Sequence, residues 1–199
     1  MTKTVYIMRH SKPMKVKYEE KLDSCQLENE KCILSIEGEE LIKEKSKSLP
    51  DFDIVYSSNY VRAMATAKYL AKDKDIHIKG AFRERLQGID KWEDLPADYE
   101  ERQFKDWDYK LEKGESLNET KDRITKGFYE VLNSITTEIV CIASHATALT
   151  CLLSNWCEID YQNQILFKGQ KIGGDWSYCG TFKLEFDENN ELISIENIK

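Results

Sequence analysis

No stretch of this sequence is apolar for long enough to cross a bilayer. Its strongest runs, such as Ile139–Ala143, are a few residues long, where a spanning helix needs about 20. Val5–Met8 is too short for the core of a secretory signal, and Arg9-His10 follows it at once. A cytoplasmic protein with no membrane partner is therefore expected. Basic charge is also in deficit: 29 Lys and Arg face 36 Asp and Glu, a formal net charge of −7. That balance argues against a nucleic-acid partner, which needs a concentrated basic face. It leaves room for a local positive well that attracts a small anion. The six cysteines include no C-x-x-C pair and no zinc-type spacing, which argues against a structural zinc site and fits a reducing compartment. Internal repeats, low-complexity tracts and any clear domain boundary are missing too, so one domain over residues 1–199 is expected.

What is present is an alternation of short apolar runs with longer amphipathic ones. Thr4–Met8 and Ile139–Ala143 read as buried strands of a parallel sheet, with Ile54–Tyr56 and the weaker Ile76–Ile78 beside them. Thr181–Phe186 and Leu192–Ile195 flank Asp187-Glu188-Asn189-Asn190 and predict an antiparallel hairpin. Between the strands, Tyr60–Ala71 carries a helical apolar face at Val61, Met64, Ala67, Leu70 and Ala71, with Ser58 or Asn59 placed to cap it. Leu117 to Ile135 has the clearest stripe (Leu117, Ile124, Phe128, Val131, Leu132, Ile135), opened by a Ser116/Glu119 capping box. A further helix starts near His145, with Leu149, Leu152, Leu153 and Trp156 on one side. The pattern predicts a three-layer α/β/α sandwich with a mainly parallel sheet and a C-terminal antiparallel hairpin. Lys12–Lys31, highly charged and without period, reads as a long loop, and so does Gly169–Gly180.

Only three histidines occur, and two directly follow the strongest strands: His10 and His145. Open parallel sheets bind ligands at the carboxyl ends of their strands. Arg9, Arg62 in the first turn after Ile54–Ser57, and Glu84 after Ile76–Ile78 fall at comparable positions. Two arginines, two imidazoles and a carboxylate at four strand ends suit phosphoryl transfer. Phosphate monoesters hydrolyse extremely slowly unaided, so both charge neutralisation and a good nucleophile are required. Neutral imidazole can attack phosphorus, arginine forks can grip the non-bridging oxygens, and a carboxylic acid can protonate the leaving alkoxide.

These residues carry a resemblance. Tyr6-Ile-Met-Arg-His-Ser11 resembles the strand and Arg-His signature of the histidine phosphatase superfamily, which includes the cofactor-dependent phosphoglycerate mutases. Ser57-Ser-Asn-Tyr-Val-Arg62 resembles its second arginine motif, Phe82-Arg-Glu84-Arg-Leu-Gln-Gly88 its acid–base glutamate motif, and Gly114-Glu-Ser116 its recurrent helix start. Ser144-His145 resembles its second histidine motif. The resemblance implies His10 as nucleophile and Glu84 as general acid, with Arg9, Arg62 and His145 binding the phosphoryl group. It implies a small phosphorylated substrate, no metal and no other cofactor, and leaves the oligomeric state open. The sequence departs from the family pattern in three places: Ser11 and Ala146 stand where glycine is usual, and Pro13, with Lys12, Lys15 and Lys17, stands where a hydroxyl or amide side chain commonly helps hold phosphate.

Two other readings compete with a phosphatase. A mutase needs the same five groups, although the span from Glu84 to Gly114-Glu-Ser116 is shorter than in typical phosphoglycerate mutases and favours hydrolysis. A catalytically weak phospho-ligand sensor would bind through Arg9 and Arg62 without turnover. Residue by residue, Glu84 between Arg83 and Arg85 could be only a surface ion pair. The lysines of Lys12–Lys31 are either a solvated face or a lid that recruits an anion, and Trp92, Tyr99, Trp107 and Tyr109 hint at an aromatic wall.

Overall fold

Val5 and Ile7 point to one face of the first strand and Tyr6 and Met8 to the other, so β1 (Lys3–Arg9) is buried on both sides. The structure, a computed structural model, describes residues 2–19, 24–159, 164–173 and 176–199. After β1 come α1 (Cys25–Lys31), α2 (Ile36–Lys47), β2 (Ile54–Ser57), α3 (Val61–Ala71) and β3 (Ile76–Ile78). Then follow α4 (Tyr99–Lys105), α5 (Leu117–Ser134), β4 (Ile139–Ser144) and α6 (Ala146–Leu153). The chain ends with β5 (Glu158–Ile159), β6 (Ile165–Phe167), β7 (Gln170–Gly173), β8 (Thr181–Phe186) and β9 (Leu192–Ile198).

The main sheet has the order β3-β2-β4-β1-β8-β9. Its first four strands are parallel; β8 and β9 run antiparallel as the expected C-terminal hairpin. β4 repeats the alternation of β1. Val140 and Ile142 join Val5 and Ile7 under α5 and α6, against Phe128, Leu132, Leu149 and Leu153. Cys141 and Ala143 join Tyr6 and Met8 beneath α2 and α3, against Ile42, Ala67 and Leu70. The result is the expected three-layer α/β/α arrangement. The capping box at α5 forms as its sequence signals, Ser116 Oγ accepting from Glu119 N–H and the Glu119 carboxylate accepting from Ser116 N–H.

Four expectations need correction. Within Lys12–Lys31, Cys25–Lys31 is a helix rather than loop, capped by Ser24; it buries only Cys25, too little to leave an apolar period. Residues 20–23 of that segment lie outside the described residues. Within Gly169–Gly180, Gln170–Gly173 is the edge strand of a second antiparallel sheet, β5-β6-β7, and residues 174–175 lie outside the description. Gly173 belongs there because an added Cβ would meet the Phe182 ring at 2.7 Å. The N-cap of α3 is Tyr60, without a side-chain cap; Ser58 Oγ instead accepts from Tyr60 N–H just outside the helix. The buried face of α3 is Arg62, Ala63, Thr66, Ala67, Leu70 and Ala71, with Val61 and Met64 only half-buried. The inward turn of a charged residue displaces the stripe that apolarity alone would predict.

Candidate active site

The carboxyl ends of β1 and β4 meet because these strands are parallel neighbours, Arg9 pairing with Ser144 in register. One residue further on, His10 N–H donates to Ser144 O (2.9 Å), which brings the two histidine-bearing ends together. Their rings lie edge to face with centroids 5.1 Å apart. His10 is 5% exposed and His145 is fully buried.

His10 is fixed from both sides. Its Nδ1 lies 2.7 Å from Ser11 O, which requires the proton on that nitrogen. Its Nε2 lone pair accepts from Arg62 Nε–H at 3.0 Å. The loop that supplies Ser11 is itself pinned. Ser11 N–H donates to Thr66 Oγ1 (2.9 Å) and Ser11 Oγ donates to Gly38 O (2.7 Å). Gly38 has to be glycine, because a Cβ there would lie 2.1 Å from Lys12 O. The hydroxyl at position 11 is thus absorbed by α2 and turned away from the imidazole.

Arg62, 6% exposed, ties three elements together. Besides His10 it donates from Nη2 to His145 Nδ1 (3.2 Å) and from Nη1 to Asn29 O at the end of α1. Since a guanidinium only donates, His145 Nδ1 is an acceptor and Nε2 carries the proton, donated to Ser58 Oγ at 2.7 Å. Burial, with the Arg62 charge adding to it, lowers His10 well below the ordinary imidazole value of 6.5. Burial also lowers His145, with His10 and Arg62 as the next contributions. Both imidazoles are neutral at pH 7, the form a nucleophile needs.

Glu84 reaches the site on the loop after β3. Its Oε1 accepts from Arg85 N–H (2.9 Å) and Ala148 N–H (3.0 Å), and Oε2 from Thr147 N–H at 3.3 Å. The carboxylate therefore sits on the N-terminal turn of α6, where unpaired amides and the helix dipole favour a negative group. The flanking arginines are engaged elsewhere: Arg83 forks onto Glu115 and Arg85 faces Gln103 and Glu100. Glu115 also accepts from Arg123 and from Leu86 N–H, while Arg123 donates to Ala81 O and Arg83 O. This clamp holds the Glu84 loop against α5. The glutamate and Gly114 motifs meet at Gly88, whose positive φ (78°) and contact with Gly114 N leave no room for a Cβ.

A cavity of about 350 Å³ opens over these groups, lined by Arg9, His10, Arg62, Glu84, Arg85 and Ala146 among others. Four of the five sequence-derived residues (Arg9, His10, Arg62 and Glu84) share its wall. His145 does not line it and reaches the site through Arg62 and His10. Arg9 donates from Nη1 to Trp176 O and lies over the Tyr178 ring at 4.4 Å. The charged segment contributes Pro13 and Asn29 to the cavity, with Cys32 just after it, whereas Lys12 is paired with Glu37. Of the aromatic candidates only Trp92 lines it; Tyr99 is buried, Trp107 packs on Phe104, and Tyr109 stacks under Arg102. Sequence reasoning missed Ser58, Thr66, Glu115 and Arg123, which act through contacts to residues far away in the chain.

Comparison with solved structures returns the same fold at low sequence identity. A mycobacterial glucosyl-3-phosphoglycerate phosphatase superposes with TM-score 0.72 at 15% identity, over 99% of this chain and 97% of that one. A phosphoglycerate mutase from Bacillus anthracis gives 0.71 at 15% identity, over 99% and 92%. A phosphoserine phosphatase mutant from Entamoeba histolytica, solved with phosphoserine, gives 0.68 at 17% identity, over 98% and 96%. At such identities the likeness is one of fold. Comparison with curated proteins returns no match. The family model for the histidine phosphatase superfamily (branch 1), however, matches residues 5–195. By that match, spanning nearly the whole chain that builds this site, the protein belongs to the histidine phosphatase superfamily.

Proposed function

We propose that the protein is a phosphatase that hydrolyses a small-molecule phosphomonoester through a phosphohistidine at His10. The observation that carries this reading is the tautomer of His10: with Nδ1–H held by Ser11 O, the lone pair is on Nε2, where Arg62 Nε–H occupies it and turns to a phosphoryl oxygen when substrate enters, freeing it to attack. In the first step Nε2 attacks phosphorus and the P–O bond to the alcohol breaks. Glu84, as the acid, gives its proton to the departing alkoxide. In the second step the Glu84 carboxylate takes a proton from water, the hydroxide attacks phosphorus, the P–N bond breaks, and inorganic phosphate leaves. Oε2 is the oxygen suited to carry that proton, since its one backbone contact is the long one at 3.3 Å. Arg9 and Arg62 neutralise the phosphoryl oxygens by charge-assisted hydrogen bonds. His145 contributes from behind, its Nδ1 accepting from Arg62 Nη2 and so orienting that guanidinium.

The test is a phosphate-release screen over a panel of phosphomonoesters with EDTA present, run beside His10→Ala. The expected outcome is release that survives EDTA and falls by at least three orders of magnitude in the variant, as for loss of a covalent nucleophile. Near-normal release from His10→Ala would overturn the nucleophile assignment. Loss in EDTA with recovery on added Mg²⁺ would point to another mechanism, and phosphate moved to a second hydroxyl instead of water would identify a mutase.

A further inference from the structure

Residues 176–180 lead into β8 and hold Arg9 at its backbone and at its guanidinium, yet no step of the reaction proposed above uses them. Gly180 O accepts from Arg9 N–H (2.9 Å), Trp176 O accepts from Arg9 Nη1, and the guanidinium carbon lies over the Tyr178 ring, 4.4 Å from its centre. The segment is a tight turn, Gly180 N–H donating to Ser177 O at 3.0 Å. Gly180 suits that turn because an added Cβ would lie 2.9 Å from Ser177 O. Cys179 takes a positive φ (60°), a conformation that is costly for a residue with a Cβ. Both ends of the turn are fixed without help from Tyr178. Trp176, 7% exposed, donates from Nε1 to Thr150 Oγ1 (3.0 Å) and meets the Phe182 ring edge-on at 5.0 Å, while Thr181 pairs with Met8 where β8 begins. Tyr178 itself is 36% exposed, its ring 6.2 Å from that of His10. A strained turn held at both ends thus presents a half-exposed aromatic ring to the residue before the proposed nucleophile.

Arg9 has need of a holder. Arg62 and Arg85 line the same cavity. Repulsion between like charges, with the rotational freedom of a long side chain, would turn an untethered guanidinium toward water. A carboxylate partner would hold it but would also cancel the charge on which a phosphoryl group depends. Trp176 O and the Tyr178 ring are both uncharged, so they hold Arg9 without neutralising it. The ring attracts the cation through the negative face of its π system. That contact leaves N–H groups on the guanidinium edge for forked hydrogen bonds to an oxyanion.

We propose that Tyr178 is a positioning residue: its ring keeps the Arg9 guanidinium on the cavity wall with its charge intact, so that a phosphoryl group meets a cation already in place. The inference rests on the phosphatase reading only for Arg9 as a phosphoryl ligand. The ring carries the role, and the hydroxyl does not.

Calorimetric Kd values for inorganic phosphate test it, together with kcat and KM for whichever ester the panel shows to be hydrolysed. Tyr178→Leu is expected to weaken phosphate binding about fivefold, the scale of one cation–π contact at a half-exposed site. KM is expected to rise by a similar factor while kcat changes by less than about twofold, as for an interaction made equally in the ground and transition states. Tyr178→Phe, which keeps the ring, is expected to bring both values back to within about twofold of the unsubstituted protein. Tyr178→Met stands in for the Leu variant if that one does not fold. In an Arg9→Ala background Tyr178→Leu is expected to cost nothing further, because the contact it removes is already gone. A Leu variant that binds phosphate as tightly as the unsubstituted protein, a Phe variant that loses as much as Leu, or an equal loss with and without Arg9 overturns the inference. Failure of the unsubstituted protein to bind phosphate at all would remove Arg9 as its ligand and the phosphatase reading with it, a different result from phosphate binding that ignores Tyr178.

Discussion

His10, the proposed nucleophile, owes its tautomer and its neutral state to the groups packed around it. Ser11, where the family pattern has glycine, keeps its carbonyl for Nδ1 and spends its hydroxyl on Gly38, so the departure costs the imidazole none of its partners. Burial and the Arg62 charge then keep the ring neutral well below its ordinary pH of titration. The expected consequence is a kcat/KM that stays flat from pH 7 to about pH 6, once the substrate's own phosphate ionisation near pH 6 is divided out. An acid limb at 6.5 or above would mean that His10 titrates like a solvated imidazole, against the burial seen here. Arg9, His10, Arg62 and Glu84 are legible in the sequence because each stands at the carboxyl end of a strand or shortly after one. Glu115 and Arg123 were not, since only the packing of α5 brings them to the loop they hold.

Among the elements, legibility followed the strength of the periodic signal. β1 and β4 are buried along most of their length and α5 along one face, and their alternation or stripe is unambiguous in the sequence. α1 gives no helical signal in the sequence, since one buried residue leaves no period, and yet its Asn29 carbonyl accepts from Arg62. β5 to β7 are two to four residues each, too short to show alternation. The clamp between the Glu84 loop and α5 is open to direct measurement. Glu115→Gln removes the charge that balances Arg83 and Arg123 in a mostly buried setting, and a loss of about 3 kcal/mol is expected from denaturant unfolding. Ser116→Ala, next to it, removes only a helix cap and is expected to cost about 1 kcal/mol. Equal losses in the two variants would show that the clamp contributes no more than the cap.

Over the whole molecule, two imidazoles buried in neutral form tie stability to pH. In the folded state His10 and His145 are lowered below 6.5, so below that pH the unfolded chain binds protons that the folded chain refuses. Stability is complete above pH 6.5 and is lost as pH falls, by up to about 1.4 kcal/mol per pH unit for each imidazole. Urea unfolding at pH 7 and pH 5 is expected to show a clear drop, and equal stabilities would mean that neither ring is held neutral by the fold. The sheet order has a consequence of another kind. β1, which leads into His10, lies between β4 and β8, so its hydrogen bonds are completed by residues 139–144 and 181–186. A ribosome makes that strand well before either of its partners. Until both are made, residues 3–9 form an apolar segment with two open edges, the kind of surface that recruits neighbouring chains. The sheet's central strand is most exposed while it waits for them.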